Sequence, residues 1–149
     1  MITNRTQEDV KQAITIRTEK IQKGLEVTKD EIDILEKGFI TINTLNRIES
    51  KQEEIKNLIN NMGYWDTPIT NKFWTETQIF NAAEFQRILD NANVLRQAFN
   101  VYKNTPNTPP ISYNWQDINA LEKILYDLDV MINDVKSHYR ECGTFESGE

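Results

Sequence analysis

Apolar positions recur at alternating three- and four-residue steps along most of the chain. In residues 43–62, Leu45, Ile48, Ile55, Ile59 and Met62 keep this rhythm once Gln52 is taken as a polar member of the seam. Residues 82–102 repeat it as Phe85, Ile88, Ala92, Leu95, Phe99 and Tyr102, and residues 115–140 as Leu121, Ile124, Leu128, Met131, Val135 and His138. That period belongs to an amphipathic helix, so three long helices are predicted, with Ile48, Leu95 and Leu128 in their shared core. Two shorter helices precede them. Residues 7–23 carry Val10, Ile14 and Ile21 on one side and end at Gly24, and residues 29–37 run from the capping box Thr28-Lys29-Asp30-Glu31 to Gly38. Strand signals are nearly absent, and the fold class is an all-α bundle of four to five helices.

The three long segments also open alike, as Leu45-Asn46-Arg47-Ile48, Phe85-Gln86-Arg87-Ile88 and Leu121-Glu122-Lys123-Ile124. They start 40 and 36 residues apart (45 to 85, 85 to 121), a spacing that suits long antiparallel helices joined by crossovers. Any three helices of one bundle share such a rhythm. That accounts for the likeness better than internal duplication, which would show tighter self-similarity. The first crossover, GYWDTPITNKFWTETQIF, mixes turn residues with Tyr64, Trp65, Phe73, Trp74 and Phe80, and pairs Thr75 with Gln78 as another capping box. The second is stiffened by Pro106, Pro109 and Pro110 and leads to Asn114 as a cap. The crossover aromatics, Tyr113 and Trp115 included, are assigned to sealing the bundle, with a partner surface or a sugar platform as the alternative. The chain therefore divides into an N-terminal arm (residues 1–6), a bundle (7–140) and a short, extended polar tail (141–149) with too few apolar groups to order itself.

Composition narrows the possibilities. A chain of 149 residues, 27% charged and 38% hydrophobic, is expected to form one soluble domain, and no apolar run nears the roughly 18 residues of a membrane span. The start MITNRTQEDVKQ has no secretory pattern, so synthesis in the cytoplasm is expected, with no membrane partner. A net charge of −6 makes nucleic acid an unfavourable partner. Asp134, His138 and Cys142 fall at four-residue steps, yet no second Cys or His exists to complete a zinc site, and no oxyanion donors accompany a Cys142–His138 pair. Asp30, Glu31, Asp33 and Glu36 lack the alternation of a calcium loop and fit a solvated helix face. No catalytic, cofactor-binding or metal-binding residues are assigned, and no enzymatic activity is expected.

One resemblance adds to this. The opening Ile2-Thr3-Asn4-Arg5-Thr6 with Asp9-Val10, the segment TKDEIDILEKG ahead of Leu45-Asn46-Arg47-Ile48, the LEKIL start of the last helix and the ending CGTFESGE occur in order across nearly the whole chain. Together they resemble a group of small proteins encoded among the tail and baseplate genes of phages and prophages of Gram-positive bacteria. Thr44 stands where the group usually has an acid, and Leu121 where it usually has Ile. The resemblance implies a non-enzymatic virion component that binds other tail or baseplate proteins, with a homo-oligomer as a further option. A head–tail connector subunit and a small intracellular regulator are the alternatives. The unfinished ends and the stiff aromatic loop place the expected protein contacts at Ile2, Thr3, Asn4, Arg5, Tyr113, Trp115, Phe145 and Glu149.

Overall fold

The computed structural model describes residues 1–63, 68–99 and 101–146, excepting the side chains of 139–146. Within them lie five α-helices: α1 (Gln7–Glu19), α2 (Lys29–Gly38), α3 (Ile42–Asn61), α4 (Ala82–Ala98) and α5 (Trp115–Glu146). A single 3-10 turn, Ile21–Lys23, follows α1 and closes on Gly24 at φ 70°, where a side chain would be strained.

Each helix starts on a side-chain cap that satisfies amide groups the helix itself leaves unpaired. Thr6 with Asp9, Thr28 with Glu31, and Thr41 with Thr44 form reciprocal capping boxes, and Asn81 and Asn114 receive the amides of Glu84 and Asp117 at 3.0 and 2.8 Å. The expected box at Thr75 and Gln78 is a turn instead. Gln78 Oε1 accepts the Thr75 amide at 2.9 Å, but no apolar helical run follows to be nucleated, and α4 waits for Asn81.

The three long helices run parallel, contrary to the antiparallel arrangement their spacing suggested. Arg47 and Lys51 of α3 pair with Glu122 and Asp129 of α5, so both helices advance in the same direction. Residues 68–81 descend antiparallel to α3 and α4 at once. Asn71 meets Glu53, the Lys72 amide meets Glu49 and the Trp74 amide meets Asn46, while Asn91 donates to the Thr70 carbonyl and Lys72 pairs with Glu84. The second return does the same between α4 and α5, from Tyr102 on Asp134 through Thr105 on Asp127 to Tyr113 stacked on Phe85. The physical reason is length. A 20-residue helix is about 30 Å long, and an extended chain at about 3.3 Å per residue retraces it well within either crossover.

The repeated positions share one core: Leu45, Phe85 and Leu121 and also Ile48, Ile88 and Ile124 are buried in it, with Ile55, Leu95 and Leu128. Gln52 is buried too and donates to the Ile88 carbonyl at 2.9 Å. Helix α4 stops at Ala98, short of the expected residue 102, because Phe99 is already extended; its ring still reaches the core from there. Helix α5 overruns its expected end at residue 140 and continues to Glu146, so the segment 141–146 is helical rather than extended. Backbone hydrogen bonding carries it on, and Gly143 weakens a helix by only about 1 kcal/mol. Its residues 133–138 are all exposed.

Helices α1 and α2 form an antiparallel hairpin whose one fully buried apolar residue is Ala13. Gly38 is the last residue of α2 rather than a stop beyond it. Its role is close approach: a Cβ there would sit 2.2 Å from the Ala13 Cβ and 2.8 Å from the Asp9 carbonyl oxygen.

Candidate interaction site

Two buried carboxylates organise the end of the molecule where α3, α4 and α5 begin. Glu49, on α3, accepts from the Lys72 amide at 3.1 Å, from both terminal nitrogens of Arg87 at 2.5 and 2.9 Å, and from the Trp74 indole. Glu122, on α5, accepts Arg5 at 3.0 Å, Arg47 at 2.7 Å and the Ile2 amide. Arg47 reaches on to Glu36 of α2 at 4.0 Å. The basic residue shared by the opening tetrapeptides thus binds the neighbouring long helix in two of its three occurrences. Lys123, the third, pairs within its own helix with Asp127, which also accepts the Thr105 hydroxyl at 2.6 Å and so ties the Pro-rich return to α5.

The N-terminal arm is part of this structure. Asn119 accepts the Arg5 amide at 3.1 Å and donates to the Arg5 carbonyl at 3.0 Å, in the manner of a neighbouring strand. Arg5 itself is buried, and burial, opposed by Glu122, holds its guanidinium below its ordinary value. Of the expected contact residues, then, Arg5 is committed inside the chain and Ile2 is half-buried, while Thr3 and Asn4 face solvent. Tyr113 is exposed at one edge of a ring cluster with Phe80 and Phe85. Trp115 is half-buried, its indole nitrogen donating to Gln7 Oε1 at 3.1 Å. The Phe145 side chain and Glu149 lie outside the described residues, as do Tyr64 and Trp65.

The structure brings Arg5, Tyr113 and Trp115 together. They line a half-open cleft of about 210 Å³ between the arm, the end of α2 and the start of α5, with Val10, Phe39 and Ile118 supplying apolar wall. The crossovers also expose Phe73 (72%), which therefore does not seal the bundle, and Ile79 (81%), which belongs to no periodic seam. The two returns touch through Phe80 and Tyr113, with ring centroids 6.1 Å apart.

Among the described residues no group of three possible metal ligands converges, and the Cys142 side chain lies outside them. Asp134 accepts the Tyr102 hydroxyl at 3.2 Å, and its backbone carbonyl lies 2.7 Å from His138 Nδ1. No helix among the described residues is long and apolar enough to cross a membrane. No protein-family model matches the chain, and no curated protein or solved structure is significantly similar to it.

Proposed function

We propose that the chain is a non-enzymatic structural subunit of a phage or phage-like particle, placed in the tail, baseplate or fibre-attachment region and acting through protein contacts. The observation that carries this is the ordered set of motifs from Ile2-Thr3-Asn4-Arg5-Thr6 to CGTFESGE, which resembles small tail-region proteins over nearly the full length. The geometry is compatible with it. Among the described residues the buried carboxylates, Glu49, Glu122 and Asp127, are each engaged by partners that join segments of the same chain. The three most exposed large apolar side chains among the described residues, Ile79, Phe73 and Tyr113, lie on the crossovers and are open to a partner.

Mass spectrometry of purified particles, paired with a deletion of the gene, tests the assignment. The chain should be present in fixed stoichiometry, and its loss should give particles with defective tails. Intact particles without the chain would overturn the proposal, and loss of head–tail joining with both parts complete would favour the connector alternative.

A further inference from the structure

We infer that the cleft between the N-terminal arm, α2 and α5 is a docking site for an apolar side chain flanked by a carboxylate, presented by a partner polypeptide. Size sets the first constraint. An apolar cavity of about 150 Å³ already accommodates benzene, so about 210 Å³ accepts one aromatic or leucine-sized group, and the half-open mouth admits it from a chain lying across the surface.

Charge sets the second. The charged residues lining the cleft are Arg5 and Lys37, both cations, on a chain whose net charge is −6. Arg5 is matched by Glu122, whereas Lys37 has no ion pair among the described residues. It acts on Asp9, which is held below its ordinary range chiefly by the Thr6 hydroxyl and, after the Thr6 amide, by Lys37 to a smaller degree. A carboxylate beside the inserted group would meet that lysine, while a basic flank would be repelled.

The site is also preformed. Trp115 is fixed by Gln7, Arg5 by Glu122 and Asn119, and the α2 wall by the contact of Gly38 with Ala13, so binding requires little ordering of the walls. The inference deepens the proposed assembly role and rests on it for where the partner comes from.

The test is titration of the full-length chain, followed by amide and indole NMR shifts, with two probes: N-acetylphenylalanine and its uncharged amide. Saturable shifts should appear at Phe39, Asn114 and the Trp115 indole, with the carboxylate probe binding several-fold more tightly. Lys37→Glu should abolish or reverse that preference, and Val10→Phe, which fills the cleft without touching charge, should weaken both probes. Equal binding of the two probes, shifts centred elsewhere, or none would overturn the inference. So would shifts at these residues on changing protein concentration alone, which would assign the cleft to a second copy. A chain that binds the probes here but is missing from purified particles would retire the virion assignment and leave the cleft standing; presence in particles without probe binding would do the reverse.

Discussion

Replacing Glu49 by Gln keeps the shape of a side chain on which the parallel topology depends. Four donors converge on its two oxygens, two of them from Arg87 and two from the returning segment at Lys72 and Trp74. A glutamine keeps one acceptor oxygen and turns an NH₂ toward the other pair of donors. Two hydrogen bonds to a charged group are lost, at about 1.5–3 kcal/mol each. Arg87 retains Glu84 at 2.9 Å, which compensates part of its charge and favours the lower half of that range. The expected loss is about 3–4 kcal/mol, a large share of the roughly 5–15 kcal/mol of a typical domain. Urea denaturation followed by Trp fluorescence measures it, since Trp74 reports directly on the anchored segment. A double-mutant cycle of Glu49→Ala with Arg87→Ala should give a coupling of at least about 1 kcal/mol, and Glu53→Gln, whose side chain is 43% exposed, should change stability by less than about 0.5 kcal/mol. A Glu49→Gln loss under about 1 kcal/mol, or no coupling, would refute the account of Glu49 as the buried anchor.

Other outcomes follow from single contacts. Gly38→Ala should cost about 1–3 kcal/mol by forcing α1 from α2, and hydrogen exchange should quicken in α1; adding Ala13→Gly should recover part of the loss. Ile48→Ala, Leu95→Ala and Leu128→Ala should each cost about 2–5 kcal/mol in chemical denaturation, since all three are buried. Glu84 is held below the ordinary carboxylate range by Lys72 first and Arg87 second. A depressed native value stabilises above the unfolded pKa of about 4.3, and the contribution is lost as pH falls through the native value. Glu84→Gln should therefore flatten the decline in stability below that pH. In a Cys142→Ser background, Lys51→Cys with Asp129→Cys should be joined by a short cross-linker, because those side chains lie 3.6 Å apart; failure would contradict parallel helices.

The three long helices were legible because each carries a repeated apolar seam, and the short α2 because its cap is readable within four residues, at Thr28 with Glu31. Direction was not. Periodicity says which face of α3 is buried but is the same read either way, and the deciding contacts, such as Asn46 pairing with both backbone groups of Trp74, span 28 residues. The basic residue in each opening tetrapeptide was the available signal for the ion pairs across the bundle. Its partners, Glu49 and Glu122, follow from no local pattern. For the cleft, sequence picked out Arg5, Tyr113 and Trp115 as interface residues, but treated Arg5 as exposed. Only tertiary contact shows it buried under the arm it belongs to, with Lys37 and Phe39 completing the wall.

Three helices pointing the same way also add their backbone dipoles. In an up-and-down bundle these would largely cancel. Here each contributes the equivalent of about half a positive charge at its start, and the starts of α3, α4 and α5 share one end of the molecule. First-turn Glu84 and Asp117 offset part of this on α4 and α5, while α3 has no first-turn acid and no basic residue in its last turn. The bundle is thus an axial dipole, positive at the end that carries the aromatic returns and the cleft, within a chain that is acidic as a whole. The backbone field at that end favours a negative group, and its reach contracts to about 10 Å at 0.1 M salt.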